Sequence, residues 1–247
     1  ASPELMQRML SAMQAVKPET VLLSEIFGPV FYSVSNLVHD NQTEAGQFLL
    51  DRMAAGKVNA QHYKAHIANV LSALPAGANR VYFTRNHDTS WFYHFNGYTP
   101  RLMAMEAVHA LFGIPEVFAG DPKHSPNPDD NPDVYDFYRR LFLARQQFPG
   151  LVHGDVLLRE VECDNPWVFT GLRRSNGQLT LVAISFSGDR EAANLTLSIN
   201  TSTTQARQKI QLIDPIQGDN IEFARTGDAM NSVRIKLKPF QILVGQL

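Results

Sequence analysis

Cysteine is nearly absent: Cys163 stands alone in 247 residues. That excludes an intrachain disulfide and any cysteine-rich metal site. No apolar run approaches the roughly 18 residues that cross a bilayer, so no membrane is expected as partner. Charge of one sign is also lacking. Lys and Arg number 22 against 24 Asp and Glu, for a formal net charge of -2. This balance supplies no pull towards nucleic acid or an anionic surface. The opening residues, ASPELMQRML, hold no basic stretch followed by an apolar core, so no signal peptide is expected in them. A cytoplasmic chain and a mature secreted chain both fit that start. Internal repeats and low-complexity tracts are missing as well. What remains is the composition of a soluble globular protein of one or two domains, 44% apolar and 19% charged.

The first 150 residues alternate helix and strand signals. Ser2 as cap, Pro3 in the first turn and Leu5, Met6, Met9, Met13 and Val16 at helical spacing predict a helix over 2–17. TVLLSEI follows as a strand ending at Glu25, and FYSVSNLVH is a weaker strand candidate. NAQHYKAHIANVLSAL predicts a helix with Tyr63, Ile67, Val70, Leu71 and Leu74 on one side, and RVYFT a strand. PRLMAMEAVHALFG predicts a helix closed by Gly113, IPEVFAGD a strand, and NPDVYDFYRRLFLARQQFPG a helix. The intervening GDPKHSPNPDDNPDV reads as a surface loop. After Gly150 the pattern turns to short alternating runs: VFTGLRR, LTLVAISFS, ANLTLSI, QKIQLI and SVRIKLKPFQILVG. Turn signals such as SNGQ separate them, which predicts an antiparallel β-sandwich over 151–247.

Three acids sit at or just past the apparent strand ends: Glu25, Asp88 and Asp121. Glu25 and Asp88 are 63 residues apart, and Asp88 and Asp121 are 33 apart. A (β/α)8 barrel of about 250 residues uses about 31 per unit and gathers its active site at the C-terminal strand ends. The intervals fit two units and one. Four strand candidates make half of such a barrel, with two open edges and an apolar face that a partner must cover.

Taken singly, each residue also has an ordinary reading. Glu25 could be a surface acid, although Leu23, Ile26 and Phe27 beside it would partly desolvate the carboxyl and favour its proton-donating form. Asn86, His87 and Asp88 could form a turn, and Asp121 in AGDP or Asp40 in VHDNQ a cap. Carbohydrate chemistry gives the sharper alternative. A His beside an Asp can bind sugar hydroxyls and stabilise an oxocarbenium charge, and Trp91, Phe92, Tyr93 and Tyr98 offer faces for sugar rings or for a core. His39, His62, His66, His94, His109, His124 and His153 have no metal-ligand spacing; His62 and His66, at i and i+4, suit a solvated helix face. No metal or cofactor is expected.

In order, VLLSEIFG, FTRNHDTSW and LFGIPEVFAGDP resemble the fifth-, seventh- and eighth-strand motifs of the α-amylase family, glycoside hydrolase family 13. FYRRLFLARQQFPGLVHGDV resembles the helix leading into its C-terminal β domain. The resemblance implies that residues 1–150 are the second half of the catalytic barrel and 151–247 the β domain. It implies Glu25 as general acid/base and Asp88 as transition-state stabiliser. His87, Asn86, Trp91 and Asp121 then bind substrate, an α-linked oligosaccharide or glucoside. Trp91 stands where many members carry Arg. The family's nucleophilic Asp belongs to a Gly-x-Arg-x-Asp motif that would lie before residue 1. Two arrangements follow: a fragment of a longer glycosidase, or a half-barrel completed by a second chain, with homodimerisation preferred. In a homodimer Asp40, Asp88 or Asp121 would have to act as nucleophile. A non-catalytic carbohydrate-binding or scaffold protein is the competing class, along with an inactive fragment.

Overall fold

The computed structural model describes residues 2–26, 28–39, 49, 52–53, 55–75, 77–83, 100–117, 127–187, 193–199, 210–213, 220–223, 225–226 and 231–246. Helix α1 spans Pro3–Val16, with the Ser2 hydroxyl accepting from Leu5 N at 3.2 Å as its cap. Its apolar residues are placed as the spacing predicts, but only Met6 is buried. Leu5, Met9, Met13 and Val16 remain exposed, Val16 by 87%.

Strand β1 (Leu23–Ser24) pairs in parallel with β2 (Leu37–Val38). A further parallel bridge joins Val38 to Arg80, and β3 (Val81–Tyr82) pairs in parallel with β4 (Ile114–Pro115). Neighbours in space thus follow chain order, the pattern that helical crossovers impose on parallel strands. The segment expected as one weak strand is different. A 3-10 helix takes Pro29–Ser33, leaving two residues for β2. Gly28, at φ 120°, turns the chain as glycine can, and Pro29 then presets the φ of the first helical position.

Helix α2 (Ala60–Ala73) is capped by the Asn59 side chain, which accepts from His62 N at 2.8 Å. Tyr63 and Ile67 are buried, as is Lys64 between them. The Lys64 ammonium donates to Val161 O and to Thr170 Oγ1, and burial pushes its pKa down to about 8. His66 does not share the solvated face of His62. Its Nε2 is buried without a hydrogen-bond partner, and burial lowers its pKa.

Helix α3 (Pro100–Phe112) is buried almost all round, as expected of a helix without a polar face. Gly113 closes it, donating to His109 O at 3.0 Å. Glycine is needed there for close approach, since an added Cβ would come within 2.1 Å of the Tyr82 ring edge. Helix α4 (Pro132–Gln147) supplies Arg145, whose guanidinium donates to Ala110 O, to Gly113 O at 3.1 Å and to Leu151 O at 3.2 Å. One side chain therefore satisfies carbonyls at the end of α3 and in α5 (Gly150–His153). Arg145→Met keeps the aliphatic stem but leaves these acceptors unpaired. We expect it to cost about 3 kcal/mol, read as a fall of roughly 6–12 °C in the thermal midpoint.

The remaining strands form two antiparallel sheets. One has six strands in the order β11 (Asn220–Phe223), β10 (Ile210–Ile213), β14 (Ile242–Gln246), β8 (Gln178–Ser185), β7 (Val168–Ser175) and β5 (Asp155–Leu157). The other runs β12 (Arg225–Thr226), β13 (Asn231–Leu237), β9 (Ala193–Ile199) and β6 (Val161–Cys163). The SNGQ signal is the β7–β8 hairpin turn, with Asn176 and Gly177 at φ 50° and 76° as a two-residue turn requires. One hydrophobic cluster runs from α2, α3 and α4 into β7, β8 and β14. Phe112 meets Phe169 edge-on there, with ring centres 5.1 Å apart.

Candidate functional site

The register of the short parallel strands decides which side chains meet at their C-terminal ends. Ser24 is opposite Val38, so the next residues, Glu25 and His39, are level with one another. Val38 is opposite Arg80, and Val81 opposite Ile114, which brings Val81 and Ile114 to the same level. Strand side chains alternate with period two, so Phe83 and Glu116, two residues further on, share the face of Val81 and Ile114.

The side chains meet accordingly. His39 Nδ1 lies 3.8 Å from Glu25 Oε1, and His39 Nε2 lies 2.9 Å from Glu116 Oε2. The second approach is an ion-pair distance without hydrogen-bond alignment. The imidazole is buried and packs on the Phe83 ring at 4.3 Å between centres. Backbone bonds hold the row: His39 N donates to Ser24 O at 2.8 Å, and Glu116 N to Tyr82 O at 2.7 Å. A hydroxyl contact of 2.7 Å between Ser24 and Ser35 ties β1 to the segment before β2.

The expected surroundings of Glu25 need correcting. Its side chain is 51% exposed, and Leu23 beside it is exposed as well, so apolar neighbours do not bury the carboxyl. A strand of two residues cannot carry a desolvating wall on both sides. Asn86, His87, Asp88, Trp91, Asp40 and Asp121 lie outside the described residues. His39 and Glu116 were not anticipated as site residues. Each follows a short apolar run by one residue, a signal that acquires meaning only through the parallel register.

A cavity of about 490 Å³ lies elsewhere, lined by Leu74, Arg80, Tyr82, Gly113, Asp155 and Arg173 among others. None of Glu25, His39 and Glu116 lines it. The row at the strand ends is the better candidate, because parallel α/β architectures concentrate chemistry there. Among the described residues, no group of three His, Cys, Asp or Glu side chains is arranged to hold a metal ion. No described helix is long and apolar enough to cross a membrane.

No protein-family model matches the chain. Over 79 residues it is 38% identical to a palatinase from Erwinia rhapontici, a stretch covering 32% of this chain and 14% of that protein. Solved structures match over its whole length. A noncanonic maltogenic α-amylase, AmyB from Thermotoga neapolitana, does so with a TM-score of 0.72 at 18% identity, covering 100% of this chain and 59% of that one. The chain has the fold of the α-amylase family. The same α-amylase fold relates it to a debranching enzyme from Nostoc punctiforme, with a TM-score of 0.70, 15% identity and 98% and 55% of the two chains covered. An α-amylase from Geobacillus thermoleovorans complexed with acarbose matches with a TM-score of 0.68, 15% identity and 100% and 57% covered. The chain thus spans a little over half the length of these α-amylase-fold structures.

Proposed function

We propose that this chain carries the acid/base side of a retaining α-glycosidase site, with α-glucans or α-glucosides as substrates. Residues 1–150 act as four βα units of an eight-unit barrel, and 151–247 as an antiparallel β-sandwich behind them. The observation that carries this reading is Glu25, half-exposed at the C-terminal end of a parallel strand in an α-amylase fold. There its carboxyl can reach a glycosidic oxygen. Asp88 stabilises the oxocarbenium-like transition state, His87 and Asn86 hold sugar hydroxyls, and Trp91 and Asp121 complete the substrate contacts.

Retention needs a second carboxylate about 5–5.5 Å from the acid. It comes from the complementing barrel half. Where that half is a second copy of this chain, Asp40, Asp88 or Asp121 is the nucleophile. Exposure of the apolar side chains Leu5, Met9, Val16, Val21 and Leu23 is compatible with such a covering half.

Solution mass and turnover of an α-1,4-glucoside, measured on one preparation, test the reading. A dimer that releases sugar with retained anomeric configuration is the expected result. A dimer that binds maltooligosaccharide without cleaving it would make the chain a binding or scaffold protein. An inactive monomer would overturn both the closure and the activity.

A further inference from the structure

We propose that the cavity of about 490 Å³ binds a phosphate group, free or carried by a small molecule, and that Arg173 holds it. The inference does not depend on the reading of Glu25, which stands past the C-terminal end of β1 and does not line this cavity. The cavity opens instead at the N-terminal ends of β3 and β4. Its walls come from the end of α2, from Arg80 and Tyr82 at β3, from Gly113 after α3, and from Asp155 and Arg173 on β5 and β7.

Charge carries the argument. Arg173 is 4% exposed and Arg80 3%. The Arg80 guanidinium lies over the Tyr82 ring, 4.8 Å from its centre. Arg173 is fixed through Nε, which donates to Gly150 O at 3.0 Å. Among the described residues, its two terminal nitrogens have no hydrogen-bond partner and no carboxylate within ion-pair distance. Arg145 adds a second buried positive charge nearby, with its own guanidinium directed at backbone carbonyls. Asp155 is the one acid among the described lining residues, and it is 69% exposed and bonded to Arg174 at 3.1 Å. Burial, reinforced by the charge of Arg145, pushes the Arg173 pKa down to about 10, so the guanidinium stays charged at neutral pH. A buried cation without a counter-charge is costly, and an anion bound against it offsets that cost. With Nε engaged, Arg173 retains two parallel terminal donors, a fork that matches two phosphate oxygens. Leu71, Phe112 and Ile114 supply apolar wall beside the arginines, and the volume leaves room for a group esterified to the phosphate.

Calorimetric titration of the intact chain at fixed ionic strength tests the site, with inorganic phosphate, glucose 6-phosphate and chloride as titrants. Both phosphates should bind more tightly than chloride. Tighter binding of the ester identifies a phosphorylated small molecule as occupant, and equal or weaker binding identifies free phosphate. Arg173→Gln should weaken phosphate binding about 10- to 100-fold, since it removes the charged donors. Asp155→Asn is an exposed exchange that leaves the core intact. It should tighten binding about two- to fivefold by removing the lining acid and releasing Arg174. Melting curves check that each variant folds. Absence of phosphate binding, or binding matched by chloride, would overturn the proposal. So would unchanged affinity in folded Arg173→Gln protein; where that variant does not fold, unchanged affinity in Asp155→Asn decides against the site.

Discussion

Glu25→Gln is expected to reduce turnover of an unactivated α-glucoside by about 10²–10⁴-fold, the range a positioned general acid contributes. The exchange keeps size and planarity and removes the transferable proton. Since the side chain is 51% exposed at a strand end, the exchange creates no cavity. The thermal midpoint should stay within about a degree or two, because surface exchanges of this kind fall within about 0.5 kcal/mol. Initial rates beside melting curves separate the two effects. Unchanged turnover in a folded Glu25→Gln protein would remove Glu25 from the chemistry.

Stability should fall steeply in acid because of His109. The residue lies on α3 with both ring nitrogens buried and without hydrogen-bond partners, against the Tyr82 ring at 5.3 Å. Burial, reinforced by the charge of Arg80, pushes its pKa down from 6.5 to about 3. Between these values the unfolded chain binds a proton that the folded chain refuses. Stability is therefore fully present above 6.5 and is lost as pH falls towards about 3, by up to about 5 kcal/mol. The loss ends below the folded-state value, where both states carry the proton. Unfolding by urea at pH 7 and pH 4.5 measures the effect. His109→Phe, which replaces the imidazole by an apolar ring, should lose about 2–3 kcal/mol less than the parent between those pH values. His109→Leu serves where the larger ring strains the helix. Equal acid sensitivity in the parent and both variants would remove His109 as the cause.

Legibility in the sequence followed the range of the interactions. Helices α1, α2, α3 and α4 were readable because spacing, caps and prolines act within a few residues. Ala193–Ile199 was readable as a strand by its own alternation. The segment around Pro29 departs from its expected strand because Phe31, Tyr32 and Val34 have strand-forming side chains, while the turn is set by Gly28 and Pro29. Strands β5, β6, β11 and β12 were missed. They are two to four residues long, and their pairing comes from neighbours distant in the chain. His66, half-buried with its Nε2 enclosed, departs from a solvated face because a helical wheel does not say how far the packing around it extends.

The candidate site divides along the same line. Spacing between acids and the motifs around Glu25 pointed to the C-terminal end of a parallel strand, and the α-amylase fold agrees with that origin. Nothing local distinguished His39 from the other histidines or Glu116 from a surface acid.

The sequence by itself determined the alternation of helix and strand, the change to β-rich structure after Gly150 and the place of Glu25 just past a short strand. Composition, periodicity and capping are properties of contiguous residues and need no partner to be read. Only the tertiary structure decided that Glu25, His39 and Glu116 stand in one row. It also decided that Leu23 leaves the Glu25 carboxyl open, and that His109 and Lys64 are buried. Each of these depends on register between strands or on packing between segments far apart in the chain, and a side chain acquires its electrostatic surroundings only when those segments meet.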